Sequence, residues 1–399
     1  MHHRTIITPD EVGPTPSFAK KRRLVFKMLR AARPITRTEI ARRLDIDKST
    51  VTENVKPLIM SGLIRETSEE NPEQGRKVRA LSFAGDEDYF IGVNLGVRRS
   101  QVGTVTLNGE MTDEEDFETP ANSAAALKLA RKHVERIYAA EKDRRLRVVG
   151  VSVPGMMDAQ RRELIYAPNL NWKRTPIAAA FELNESVKVV VENDSTAAAM
   201  YEARVRMGKT GHQPVGDFIL VRSGTGIGVG LVIGGEVFRG SGSAQGIAGE
   251  FGHMTIVAGG KPCVCGNRGC WEKYASAASA ASLYLGDRPP ARGESVPRFV
   301  EIVSKAENGE NRARRTLEKI GDYLGIGIAN VIMGIGIPRV IISGRLVYGW
   351  QFIKDPMNEA IRRSMIGKID GWSVEPGEPV GSAIGGALEV AVEEFLSTL

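Results

Sequence analysis

Gly249-Glu250-Phe251-Gly252-His253, followed by Cys263-Val264-Cys265-Gly266-Asn267-Arg268-Gly269-Cys270-Trp271-Glu272, is the stretch around which this 399-residue chain is organised. It holds all 3 cysteines of the sequence. With His253, the thiols of Cys263, Cys265 and Cys270 make a Cys3His set, the ligand chemistry that tetrahedral zinc prefers. Gly266 and Gly269 allow the loop to fold tightly enough for three sulfurs to converge. Two other readings are three buried structural cysteines, or a disulfide with one thiol left over. Clustering beside a histidine favours the metal. Protein would fill all four positions, so the zinc would be structural, one per chain.

Glu250 and Glu272 bracket the cluster, and a saturated zinc needs neither. Solvated loop charges are the usual fate of glutamates. The alternative is a metal-held loop that aims Glu250, His253 and Glu272 at a polyol. Gly-Glu-Phe-Gly-His followed by Cys-x-Cys-Gly-x-x-Gly-Cys-x-Glu resembles the signature of the ROK family (repressors, open reading frames, kinases). The resemblance implies zinc at the four matching positions and sugar contacts from the two glutamates and the histidine. A histidine that gives one ring nitrogen to a metal keeps its proton on the other, a fixed donor toward a sugar hydroxyl.

The length allows two or three domains. No apolar run approaches the roughly 18 residues needed to cross a bilayer, and the N-terminus lacks a signal-peptide core, so no membrane association is expected. Unpaired, metal-suited cysteines fit a reducing cytoplasm. The net charge of +6 is unevenly spread: residues 1–85 carry 17 Lys and Arg against 10 Asp and Glu, and the remainder 37 against 38. A basic front joined to a near-neutral body suggests a nucleic-acid module.

Residues 1–17, with Pro9, Gly13, Pro14 and Pro16, read as a flexible arm. Residues 18–84 read as a winged helix-turn-helix. A first helix from Phe18 carries Leu24, Phe26, Met28 and Leu29 and stops before Pro34. A second runs from about Thr36 to Leu44. Asp47 is placed to cap a third, in which Val51, Val55, Leu58 and Ile59 face inward. That third helix would present Ser49, Thr50, Thr52, Glu53 and Lys56 to duplex DNA. Pro57 should kink or shorten it. Leu63–Arg65 and Val78–Phe83 read as wing strands, with Arg76 and Lys77 on the wing. The other reading is a basic three-helix domain that binds protein; helical order, charge and wing favour DNA. The resemblance implies a winged helix at this place too.

From Tyr89 onward an α/β pattern appears twice. Tyr89–Leu95 and Gln101–Leu107 form a hairpin, then come a helix over 123–141, a strand at Arg147–Val153 and another at Lys188–Val191. Phe218–Ser223 and Gly228–Ile233 form a second hairpin, followed by helices between 275 and 330 and a strand at Arg339–Ser343. Such duplication implies two similar lobes. It resembles the two-lobed sugar-kinase/actin-like architecture of the ROK family, with residues 89–200 plus 384–399 as the first lobe and 201–383 as the second. A small ligand belongs in the cleft between lobes.

Asp194 follows a strand directly, where α/β proteins put functional carboxylates. On its own the Asn193-Asp194 pair reads as a strand-end turn with a helix cap. Val-Glu-Asn-Asp-x-x-x-Ala-Ala resembles the ROK segment whose aspartate accepts a sugar hydroxyl proton, which would make Asn193 and Asp194 sugar ligands. Asn169 is a weaker candidate. The Gly224–Gly228 loop is either a phosphate cradle or simply a turn; in ROK kinases the matching loop faces ATP. Those kinases also carry an Asp-x-Gly-Gly-Thr-Lys-type turn after the first strand, and here that place reads Asn94-Leu95-Gly96-Val97-Arg98-Arg99. With Asn94 in place of the aspartate, the nucleotide half looks eroded while the sugar half looks complete. The favoured function is a sugar-responsive DNA-binding transcriptional regulator, most often a repressor in this family, working as a homodimer or tetramer. The alternative is an ATP-dependent sugar kinase with a DNA-binding domain, in which Asp194 would be the catalytic base. A third reading is a DNA-binding protein whose ROK-like part only dimerises or docks a partner.

Overall fold

The computed structural model describes residues 18–31, 34–70, 77–109, 111–209, 216–241, 246–292, 295–379 and 381–398. The arm over 1–17 and Arg76 lie outside them, and of Lys77 only the backbone is described. The chain forms two compact units, one built chiefly on residues 18–85 and the other chiefly on 86–395.

The first unit contains α1 (Phe18–Ala31), β1 (Ile35–Thr36), α2 (Arg37–Leu44), α3 (Lys48–Met60), β2 (Ile64–Glu70) and β3 (Lys77–Phe83). The strands make one antiparallel sheet in the order β1-β3-β2. Ile40, Val51, Val55 and Leu58 are fully or almost fully buried, and Phe26 stacks on Phe83 with ring centroids 5.9 Å apart. The Thr36 hydroxyl caps α2 by accepting the Glu39 N–H at 3.1 Å. Asp47 occupies the corresponding position before α3, but its side chain makes no capping bond. Pro57 does not shorten α3, which continues to Met60. Proline deletes a single backbone bond there, and both Pro57 and Glu53 are exposed, so water can serve the carbonyl left over. Glu39 gathers Arg42 and Arg43, and the hydrogen bond from Arg42 is the main reason its carboxyl falls to about 2.

The second unit is built on two five-stranded sheets. The first comprises β4 (Asp88–Leu95), β5 (Arg99–Thr106), β6 (Met111–Glu118), β7 (Arg145–Val153) and β10 (Lys188–Asn193), in the order β10-β7-β4-β5-β6. It carries α4 (Ser123–Ala140), a small ribbon of β8 (Met156–Met157) with β9 (Leu164–Tyr166), and α5 (Ile177–Ala180); α6 (Asp194–Lys209) leaves from the end of β10. The second sheet comprises β11 (Phe218–Ser223), β12 (Ile227–Ile233), β13 (Glu236–Phe238), β14 (Arg339–Gly344) and β15 (Ser373–Pro376), in the order β13-β12-β11-β14-β15. Its helices are α7 (Glu272–Ala275), α8 (Ser279–Tyr284), α9 (Phe299–Glu307), α10 (Asn311–Ile335) and α11 (Trp350–Arg363). In both sheets three consecutive strands form an antiparallel meander, and two further strands add in parallel on the side of the first. The same topology is therefore used twice.

Each sheet has its own apolar core. Val93, Val151 and Val191 bury against Leu127, Val134 and Phe181 in the first. Val221, Val229 and Ile342 bury with Trp271, Leu324, Ile328 and Ile353 in the second. The last helix, α12 (Ser382–Leu396), returns to the first sheet, where Leu388 and Ala387 lie against Gly92 and Gly150. Besides the short β1, β8, β9 and α5, the elements with no counterpart in the sequence analysis include β6, β13, β15 and α11. Of these four, the first three are edge strands, and β6 reads Met-Thr-Asp-Glu-Glu-Asp-Phe-Glu, whose charges hide any alternation while guarding an edge. A proline inside α11, Pro356, masks its helical period. Among the described residues no helix is long and apolar enough to cross a membrane.

Candidate functional site

His253, Cys263, Cys265 and Cys270 converge, with one ligand atom from each lying within 4.8 Å of the others. The Cys265 and Cys270 sulfurs are 3.7 Å apart, and the His253 Nδ1 is 3.5 Å from the Cys263 sulfur. Gly266 and Gly269 both take positive φ, +94° and +78°, at the two tight points of the loop. All three cysteines are free, so the disulfide reading falls away. Burial pushes the thiols of Cys263 and Cys270 up, which keeps them protonated and inert unless a cation draws off the protons. The set could hold a metal ion.

The loop delivers its carboxylates into a cleft of about 320 Å³. Glu250 opens a short 3-10 turn that ends at His253, and His253 Nε2 lies 3.8 Å from the Glu250 carboxylate. The histidine thus turns Nδ1 to the sulfurs and Nε2 to the cleft. Glu272 is the first residue of α7 and is 3% exposed. One of its oxygens accepts the Cys263 thiol at 3.3 Å, the other the Asn169 amide at 3.4 Å. Burial first, then the charges of Asp194 and Glu272, push the Glu250 carboxyl up to about 7. The Gly224–Gly228 hairpin turn lies directly on this group. A Cβ on Gly226 would sit 2.2 Å from the Glu272 carboxylate, and one on Gly228 would sit 1.8 Å from the Ser195 hydroxyl. Close approach to side chains, rather than cradling of a phosphate, is what these two glycines answer to.

Asn193 ends β10 and serves the chain itself. Its Oδ1 accepts the N–H groups of Ser195 and Thr196, capping α6, and its Nδ2 donates to the Gly155 carbonyl at 3.0 Å. The nearest cleft partner of that Nδ2 is Glu250, at 3.5 Å. Asp194 also lines the cleft and has partners of its own. Arg222 Nη1 donates to its Oδ2 at 2.7 Å, and the Ser195 hydroxyl donates to Oδ1 at 3.1 Å. Both carboxylate oxygens therefore already have donors.

Arg222 belongs to a group that sequence reasoning missed. Arg98, Arg222 and Arg345 all line the cleft. Burial, followed by the neighbouring charges of Arg98 and Arg222, holds the Arg345 guanidinium below its ordinary value. Arg98 leaves the β4–β5 turn, Arg222 lies on β11 and Arg345 follows β14. The only sequence signal was a lone arginine, Arg222, inside the otherwise apolar run of β11. Asn94 is buried, and its Oδ1 accepts the Ser152 hydroxyl across the β4–β7 pair at 3.1 Å.

In the first unit, Ser49, Thr52, Glu53 and Lys56 are exposed on α3, whereas Thr50 is half-buried and its carbonyl accepts the Asn54 amide. Thr52 Oγ1 donates back to the Lys48 carbonyl at 2.9 Å, which leaves its lone pairs outward.

Residues 90–383 match the ROK family, and residues 19–67 match a helix-turn-helix domain. The chain belongs to the ROK family. It is similar to the xylose repressor of Bacillus subtilis, with 27% identity over 86% of this chain and 88% of that protein. It is also similar to a glucokinase of Streptomyces coelicolor, with 30% identity over 69% of this chain and 88% of that enzyme. In fold it resembles a solved ROK family transcriptional regulator described as a homologue of the Escherichia coli Mlc protein, with TM-score 0.74, 22% identity, and 95% and 96% of the two chains covered. Within this ROK chain the cleft is chemically divided. Glu272, Glu250 and Asp194 succeed one another on one side, Arg222, Arg345 and Arg98 on the other, and the Asp194–Arg222 ion pair joins them.

Proposed function

We propose that this ROK-family chain is a sugar-responsive DNA-binding regulator, working as a repressor, whose cleft takes a sugar or sugar derivative. The observation that carries the reading is the state of Asp194. As a kinase base it would accept a hydroxyl proton on an oxygen that Arg222 already occupies, beside a first turn in which Asn94 is tied to Ser152. As a ligand anchor it needs only to exchange one donor for another. Asn169, Glu250, His253 and Glu272 supply the remaining contacts, with Asn193 acting mainly by fixing the start of α6. The names of the B. subtilis relative and of the Mlc-like structure support a regulator, and the helix-turn-helix unit supplies the means.

In this reading zinc is the ion at His253, Cys263, Cys265 and Cys270. A tetrahedral zinc with ordinary bond lengths separates two sulfurs by about 3.8 Å and a sulfur from a nitrogen by about 3.6 Å. The 3.7 Å and 3.5 Å separations fit those edges. When bound, zinc supplies a cross-link and no reaction. With the Cys263 proton given up to the metal, Glu272 keeps the Asn169 amide and Glu250 keeps His253, so the loop presents both carboxylates beside the outward Nε2–H. A polyol, which offers a donor and an acceptor on every hydroxyl, matches such a surface. Ser49, Thr52, Glu53 and Lys56 are assigned to DNA with Arg76 and Lys77 of the wing. The protein acts in the cytoplasm, as a homodimer or tetramer on a duplex operator.

The test is selection of a duplex operator from a random pool, followed by titration with a panel of sugars and a parallel assay of ATP turnover. Operator affinity that shifts with one sugar, without ADP release, is the expected result. Sustained sugar-dependent ADP release, lost in Asp194→Asn, would overturn it in favour of the kinase.

A further inference from the structure

Arg98, Arg222 and Arg345 meet in the cleft from three separate chain segments. Gathering like charges costs energy, and proteins usually meet that cost with carboxylates. Here, among the described residues, the carboxylate engaged is Asp194, on Arg222. Among the described residues Arg98 and Arg345 have no acidic partner, whereas the adjacent Arg99 pairs with Asp116 at 2.5 Å. The Arg222 Nε is also buried and, among the described residues, without an acceptor. The nearby glycine turn does not compete for an anion with its first amide, because the Gly224 N–H is folded inward onto the Gly226 carbonyl. Guanidiniums present N–H pairs in a plane that matches two oxygens of a phosphate, so a converging set of them is the side-chain chemistry of phosphate recognition.

We propose that the arginine half of the cleft binds a phosphate group, and that the effector is accordingly a phosphorylated sugar whose hydroxyls meet the Asp194, Glu250 and Glu272 side. This rests on the sugar reading above for what carries the phosphate, but the arginines can be tested with no sugar present. Arg222 is the hinge of the arrangement. A sugar hydroxyl arriving at Asp194 displaces an Arg222 N–H, and the freed guanidinium turns to the phosphate that arrives with it.

The experiment is thermal denaturation of the full-length protein at constant ionic strength, with sodium phosphate, glucose 6-phosphate or ADP replacing sodium chloride. Inorganic phosphate should raise the midpoint by roughly 2–4 °C at about ten times its dissociation constant. The double variant Arg98→Gln/Arg345→Gln should weaken phosphate by about tenfold per guanidinium and abolish the shift. Arg345→Lys, which keeps the charge, should retain part of it. No stabilisation beyond chloride would overturn the phosphate site. So would an undiminished shift in the double variant, since the anion would then be on the basic DNA-binding unit. Glucose 6-phosphate stabilising more than ADP supports the sugar source, and ADP stabilising more than glucose 6-phosphate overturns it.

Discussion

The two halves of the cleft are built in opposite ways. On the carboxylate side, Asp194 apart, the groups come from one short loop, Gly249 to Glu272, in which each has a partner within ten residues: His253 with Cys263, Glu272 with Cys263, Glu250 with His253. The arginine half is assembled from β-strand ends that are distant in sequence, and each guanidinium arrives alone. Local construction lets the spacing within one loop set which side chains meet. Long-range construction gives a site that exists only once both sheets have formed. A ligand that spans both halves reads the two kinds of order at once.

The largest separation of the halves should come from Cys265→Ser. Losing a ligand from a structural metal site forfeits a share of a binding energy of about 10–16 kcal/mol. The variant should fall from about one equivalent of zinc to a small fraction of that and lose its response to sugar, while duplex DNA binding persists. Elemental analysis that still finds half an equivalent or more would break the claim that the metal orders the carboxylate half.

Gly226→Val is the next strongest. Its side chain would enter the space of the Glu272 carboxylate, an overpacking worth about 1–3 kcal/mol. Calorimetry should find sugar affinity lost and stabilisation by inorganic phosphate kept. Equal damage to both would mean that the halves are not separable. Asp194→Asn lies on the seam, and removing one charge-assisted bond there should weaken sugar by about 1–3 kcal/mol. Unchanged sugar affinity in that variant would move the ligand away from Asp194 altogether. Smallest is a change outside the cleft. Lys56→Ala on α3 should lower the salt slope of duplex binding by about one and leave both halves of the cleft untouched, with Thr52→Ala instead shifting sequence preference.

The same contrast governs what could be read from residues alone. The convergence of His253 with the three cysteines, and the two glutamates beside it, were legible because spacing within one loop carries their geometry. Both hairpins and β7, β10 and β14 were legible because buried strands repeat apolar residues on a short period. Arg222 and Arg345 were not, because nothing near them in sequence says that they share a cavity. Asn193 was read toward the ligand, and its hydrogen bonds show that capping α6 takes most of its capacity. The acidic edge strand β6 and the proline-bearing α11 were invisible to pattern for the reasons their compositions give.

Trp271 lies between Cys270 and Glu272 and is fully buried. Its indole N–H donates to the Tyr323 carbonyl of α10, and the ring fills the space where a Cβ of Gly327 would be, 2.0 Å from its edge. The loop therefore rests on a 25-residue helix over the turn from its central residue, Tyr323, to Gly327. By helical rise, Gly327 is about 24 Å from the Asn311 end and about 12 Å from the Ile335 end. In mechanical terms Trp271 is a saddle under the central turn of that helix, so a tilt imposed there is carried to both of its ends.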